Sequence, residues 1–239
     1  MMLYHRSMPP QSLSLVHLTR APELDEPGGP PLLLLLHGVG SHEGDLIQLA
    51  PYLDSRFFVV SARAPITLAS LRSEGSYAWF HVEFTPQGPV INPGEAESSR
   101  QALLRFIDEL AEAYGLDPGR VYVMGFSQGA IMGFSLALTR PEKLAGLVAH
   151  SGRILPEIRP LIAPPEALRG LPVLVLHGTA DGVLPVHHGR ASRDLLSALP
   201  VRLTYKEYPI GHEISAESLG DAAGWLSERL DGREASAPL

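Results

Sequence analysis

One stretch, Val121 to Arg140 (V-Y-V-M-G-F-S-Q-G-A-I-M-G-F-S-L-A-L-T-R), restricts this chain more than any other. The apolar run Val121 to Met124 predicts a buried strand. From Gln128 to Arg140, small and apolar side chains recur at helical spacing and stop at Pro141. Between them lies Gly125-Phe126-Ser127-Gln128-Gly129, a G-x-S-x-G in the strand–turn–helix setting that gives the pattern its meaning. A turn this tight strains the backbone of its central residue and lifts that side chain clear of the sheet. Its flanking positions need glycine, because a Cβ there would meet neighbouring backbone. The serine then sits at a helix N-terminus, where unpaired N–H groups and the positive dipole end favour a developing anion.

Five letters in a chain containing 23 glycines do not make a site, and a plain glycine-rich connection would read the same way. The rest of the chain decides. Its 239 residues suffice for one α/β domain with a sheet covered on both faces. A net charge of −7 argues against nucleic acid or an anionic membrane surface as the main partner. With no cysteine, disulfides, thiolate chemistry and Cys-ligated zinc are excluded. Residues Met1 to Gln11 lack a signal-peptide core, and the densest apolar run, Leu32 to Leu36, is too short to span a bilayer. A cytoplasmic protein is expected.

In order along the chain, Ser12 to Leu18 alternates like a half-exposed edge strand. Leu32 to Leu36 predicts a central parallel strand. Asp45 is a candidate cap for a helix over Leu46 to Leu53, and Phe57 to Ser61 is the next strand. Arg63 to Pro93 is the least regular region, with a hairpin predicted through Thr85-Pro86-Gln87-Gly88. Asn92-Pro93 opens a helix that places Leu103, Ile107, Leu110 and Tyr114 on one face and ends at Gly115. After the Ser127 helix come strands at Leu144 to Ala149 and Pro172 to Leu176, separated by a Pro-rich connection over Gly152 to Gly170. A helix over Val186 to Leu199, a strand over Val201 to Tyr208 and a helix over Ser215 to Leu230 complete the pattern. Residues 1–11 and 231–239 read as frayed ends. Strands alternate with helices without an internal linker, which predicts a single domain over 1–239 built on a mostly parallel, doubly wound sheet.

Sites in such sheets form at the carboxyl ends of the strands. His37-Gly38-Val39-Gly40, Ser127, Asp181 and His212 all fall there, and the chain order Ser, Asp, His is that of α/β-hydrolases. Neutral serine is a poor nucleophile, so His212 is the expected base and Asp181 the group that orients it. The tetrahedral oxyanion needs two donors, expected from the main-chain N–H groups of Val39 and Gln128. The plain alternatives are a turn-capping Asp181 and an exposed His212 at a helix start. His177, His187 and His188 are rival bases: His177 reads as a strand-end residue, and the other two, early in a helix, as facing solvent. His37 and His150 end buried strands and read as structural. No H-E-x-x-H occurs, and the adjacent pair His187-His188 is not a metal spacing.

The motifs L-L-H-G-V-G, A-W-F, G-F-S-Q-G-A, H-G-T-A-D-G-V-L-P and G-H-E-I resemble, in order, those of the phospholipase/carboxylesterase family of α/β-hydrolases. The resemblance runs from about Leu32 to Leu230. It implies an α/β-hydrolase without a large cap domain that cleaves carboxylic ester or thioester bonds and uses no cofactor or metal. It places nucleophile, acid and base on Ser127, Asp181 and His212, oxyanion donors on Val39 and Gln128, and on Trp79 an aromatic beside the acyl pocket, the plain alternative for which is a core anchor. Two positions depart from the family's pattern. Ser41 stands where an acidic residue more often follows the second glycine, and His81 where W-F is usually followed by an acid. The reading is a serine carboxylesterase acting on short-to-medium acyl esters, a small-molecule substrate. Its rivals are an acyl thioesterase or lysophospholipase on the same fold, and a non-catalytic ligand-binding relative. A homodimer is left open.

Overall fold

Five consecutive leucines can be buried at once only if both faces of their strand are covered. The computed structural model, which describes residues 13–23, 28–68, 75–85 and 88–232, puts β2 (Leu32–Leu36) inside a seven-stranded sheet, flanked on both sides. The strand order is β1 (His17–Arg20), β3 (Phe58–Ala62), β2, β8 (Val121–Phe126), β9 (Gly146–His150), β10 (Pro172–Gly178) and β11 (Arg202–Tyr208). Only β1 runs antiparallel to its neighbour. Two short antiparallel pairs lie outside this sheet: β4 (Ile66–Thr67) with β5 (Tyr77–Ala78), and β6 (Val82–Thr85) with β7 (Gly88–Ile91).

The leucines divide by parity, as period-two side chains must. Leu32, Leu34 and Leu36 pack with α2 (Pro93–Tyr114) and α3 (Gln128–Thr139), and with Leu196 of α5 (His187–Ser197). Leu33 and Leu35 face the other way, onto α1 (Glu43–Leu46), the 3₁₀ turn after it and α6 (Ala216–Leu230). Between β9 and β10 the chain holds a 3₁₀ turn and α4 (Pro165–Leu168), and among the described residues no large cap covers the carboxyl edge. Among the described residues no helix is long and apolar enough to cross a membrane.

The signals that end α2 act as expected. Asn92 Oδ1 accepts from the N–H groups of Gly94 and Glu95 at 3.1 and 3.2 Å, and Gly115 closes the helix at φ +63°. Three expectations need correction. The edge strand lies at His17–Arg20 rather than Ser12–Leu18, because its ladder is set by β3, with His17 opposite Ala62. The helix near Asp45 is capped by His42, whose Nδ1 accepts the Gly44 N–H at 3.0 Å; Asp45 lies inside it and accepts the Ser41 hydroxyl at 2.6 Å. Asp231 is tied to Arg56 at 2.8 Å rather than frayed. The rest of the expected frayed ends, 1–11 and 233–239, and the hairpin turn at 86–87 lie outside the described residues.

Candidate active site

β8 runs into α3 through a single residue, Ser127, held at φ 53° and ψ −117°. Such a conformation is costly for a residue with a Cβ, and the surrounding contacts enforce it. The Ser127 N–H donates to the His150 carbonyl of β9 at 2.9 Å, and its own carbonyl accepts from Ile131 N–H at 3.1 Å. A Cβ at Gly125 would fall on the Gly129 backbone, and one at Gly129 on the Leu36 carbonyl, so neither position admits a side chain. The apolar face of α3 is therefore pressed directly against the ends of β2 and β8.

Three side chains from three strand ends meet here. His212, just beyond β11, receives the Ser127 Oγ at 2.9 Å from its Nε2. Its Nδ1 lies 2.7 Å from Asp181 Oδ2, in the turn after β10. With the carboxylate as acceptor, Nδ1 carries the proton and Nε2 is left to accept the serine hydroxyl. Asp181 Oδ1 is filled by the N–H groups of Val183 and Leu184 at 2.9 and 2.8 Å. Burial opposes charge on Asp181, but the His212 bond and these two amides together hold its carboxyl below the usual aspartate value. Phe126 packs against the imidazole with ring centroids 4.8 Å apart and planes tilted by 42°.

The loop after β2 is braced from below. Gly40, at φ +82°, donates to the Tyr77 carbonyl, and Tyr77 donates back to Ser41, each at 2.9 Å. This clamp leaves Val39, half-exposed, at the rim of the same cleft as Ser127 and Gln128. Among the described residues neither the Val39 nor the Gln128 main-chain N–H has a partner: the first lies in a loop, the second at the first turn of α3. The Gln128 side chain is committed elsewhere, accepting from Trp79 N–H and donating to the Phe80 carbonyl, both at 2.7 Å.

Trp79 does not line the cleft. It is fully buried, and its indole N–H donates to the His37 carbonyl at 3.0 Å, under the loop that carries Val39. The wall position belongs to Phe80, the next residue. With Val82, Ile91, Ile131 and Leu184, Phe80 forms an apolar cleft of about 70 Å³ beside Ser127. A wider groove of about 380 Å³ lies on the far side of His212, between α1 and Ile214, and does not reach Ser127.

The other histidines sort by contact. His37 is buried, bonded to the Gly38 carbonyl through Nδ1 and accepting Ala64 N–H through Nε2. Burial keeps it neutral. His150 is wholly buried and pushed down to about 3 by desolvation. His177 Nε2 donates to the Leu184 carbonyl at 2.7 Å and lies 3.6 Å from Asp181, behind the site. His187 is exposed, whereas His188, expected in solvent, is half-buried and stacks on it at 4.1 Å. Of the two departures, Ser41 serves the loop and α1, and His81 turns outward to Glu95 at 3.0 Å. Neither enters the cleft.

Sequence reasoning passed over Phe80, Phe126 and Arg153. Arg153 lines the cleft from just past β9. Its signal was its place: a charged side chain three residues beyond a buried parallel strand stands on the edge where sites form.

A family model described as Phospholipase/Carboxylesterase matches residues 25–230. A probable carboxylesterase of Oryza sativa subsp. japonica is 29% identical over 85% of this chain and 90% of its own length. Acyl-protein thioesterase 1 of Neurospora crassa is 35% identical, over 48% of this chain and 49% of its own. In the crystal structure of the Bacillus cereus carboxylesterase the same fold recurs, with a TM-score of 0.76 at 24% identity over 90% of this chain and 94% of that one. With the matched segment running from before β2 to the end of α6, this chain belongs to the phospholipase/carboxylesterase family of α/β-hydrolases.

Proposed function

We propose that the protein is a serine carboxylesterase that hydrolyses short-to-medium acyl esters through an acyl-enzyme. The observation that carries this reading is the continuous hydrogen-bonded chain Asp181–His212–Ser127 at the mouth of an apolar cleft. Ser127 Oγ attacks the ester carbonyl carbon while His212 Nε2 takes the hydroxyl proton. The oxyanion so formed is met by the Val39 and Gln128 N–H groups, each worth about 3 kcal/mol in reactions of this kind. The intermediate collapses as His212 returns its proton to the departing alcohol, leaving the acyl group on Ser127. Water then attacks the acyl-enzyme, again giving its proton to His212, and the carboxylic acid leaves with the serine restored. Asp181, held anionic by its three donors, stabilises the imidazolium at each step.

Ser127→Ala is expected to abolish turnover of 4-nitrophenyl butyrate and labelling by a fluorophosphonate probe while leaving the circular dichroism spectrum intact. A variant that still turns over the ester would place the nucleophile elsewhere. The similarity to an acyl-protein thioesterase favours a second reading, thioester hydrolysis at the same serine. Ratios of kcat/KM for matched esters and thioesters separate the two.

A further inference from the structure

Beside the cleft lies a basic subsite for which ester hydrolysis alone has no use. Of the arginines held away from full exposure, Arg20, Arg56, Arg63, Arg100, Arg120, Arg193 and Arg229 all have a carboxylate or carbonyl partner. Arg153 is the exception: half-buried, it has no hydrogen-bond or ion-pair partner among the described residues. None of its nitrogens is buried, so its five N–H donors stay open to the clefts it lines and are free to meet a ligand.

The backbone puts it there deliberately. Ser151, straight after β9, is at φ 49°, the only non-glycine besides Ser127 with a positive φ among the described residues. The next residue, Gly152, packs against α3 so closely that a Cβ would lie 2.6 Å from that of Ala130. This strained turn carries Arg153 past the start of α3 to the rim of the cleft. There it lines both the Ser127 cleft and an adjoining pocket of about 170 Å³. Arg159, His188 and Ser192 also line that pocket, and no Asp or Glu does. His188, held below its usual value by burial and then by its neighbours His187 and Arg153, stays neutral and offers hydrogen bonds rather than charge. A strongly anionic chain thus keeps a local cationic surface one pocket away from its serine.

We infer that Arg153, with Arg159 beside it, recognises a carboxylate at the far end of the substrate's acyl chain, so that the preferred substrates are half-esters of dicarboxylic acids. The geometry is that of an acyl chain lying along the Phe80–Ile131 wall with its terminal carboxylate at the guanidinium fork, which matches two carboxylate oxygens. A single half-buried guanidinium balances one such negative charge. Hydrolysis consumes one water and releases the alcohol and the dicarboxylate. The inference rests on the hydrolase reading above, and its test distinguishes failure of one from failure of the other.

The test compares kcat/KM for the 4-nitrophenyl half-ester of glutaric acid with that for neutral 4-nitrophenyl pentanoate. In the wild type the anionic ester is expected to be preferred. Arg153→Met should lower the anionic-to-neutral ratio by roughly tenfold or more, the factor for losing a charge-assisted hydrogen bond. Arg153→Lys should recover part of it, and Arg159→Met should lower it less. An unchanged ratio in Arg153→Met overturns the inference while leaving the hydrolase reading intact. If neither ester is turned over, the hydrolase reading falls and binding decides. Saturable NMR shifts on titrating Ser127→Ala with monomethyl glutarate, absent with methyl pentanoate and lost when Arg153→Met is added, support the anion subsite; no shifts overturn it.

Discussion

A carboxylate that accepts from two amides and an imidazole at once has little freedom, and Asp181 owes its ionised state to that arrangement. The same bonds specify which His212 nitrogen holds the proton. Asp181→Asn keeps the shape but can present an amide N–H to Nδ1, which favours the tautomer in which Nε2 cannot accept from Ser127. The expected loss in kcat is roughly a thousand- to ten-thousand-fold with KM little moved, measured by steady-state ester hydrolysis. A loss of under about tenfold would show that Asp181 does not set the tautomer. Gln128 illustrates how one residue serves two ends: at the first turn of α3 it lines the cleft, while its side chain clips the Trp79–Phe80 backbone. Trp79 in turn holds the His37 carbonyl, so the loop bearing Val39 and the start of α3 are braced by one shared set of bonds.

At the scale of elements, the site exists because α3 and β2 approach more closely than side chains allow. Gly129 sits on the carbonyls of Leu36 and His37, the latter 2.8 Å from where its Cβ would be. Gly129→Ala must therefore push α3 outward, at a cost of about 3 kcal/mol, the upper part of the range for overpacking. Denaturant unfolding would read this directly, and a change within about 0.5 kcal/mol of zero would show the contact to be soft. The loop after β2 is anchored by a second device. Glu43, buried at the start of α1, pairs with Arg63, whose guanidinium lies 4.5 Å over the Tyr77 ring. Tyr77 is also the residue that clamps Gly40 and Ser41. Here α1, the segment after β3 and β5 converge on a single turn of chain.

Across the whole molecule, burial of neutral histidines couples stability to pH. His17, His37 and His150 are buried, and desolvation lowers each below its ordinary value, His150 to about 3. The unfolded chain takes up protons at these positions near pH 6.5, whereas the folded protein resists doing so. Stability is therefore full above about pH 6.5 and falls as pH drops towards the folded-state values, by up to about 1.4 kcal/mol per pH unit for each histidine. Carboxylates held low, among them Asp181 and Glu43, add their loss at lower pH, below about 4 to 4.5. Tm is expected to fall steadily from about pH 6.5 to about pH 5, and less steeply in His150→Leu. A Tm that stays level across that window would be incompatible with these histidines being held neutral.

By itself the amino-acid sequence determined what depends on local pattern: strands that are apolar throughout, the capped helix opened by Asn92, and a serine in a turn that admits only glycine on either side. Those features rest on backbone sterics and side-chain period, which neighbours along the chain already specify. Ser127, Asp181 and His212 were legible as candidates because parallel sheets gather strand ends on one edge. Their distances were not, since they depend on how three strands pack. Tertiary packing decided the rest. It placed Phe80 rather than Trp79 on the cleft wall, since the side a residue faces outside the sheet is set by its contacts. It moved the edge strand to His17–Arg20, because register belongs to the partner strand. It also left Arg153 without a counter-charge, a property of the surroundings and not of the residue.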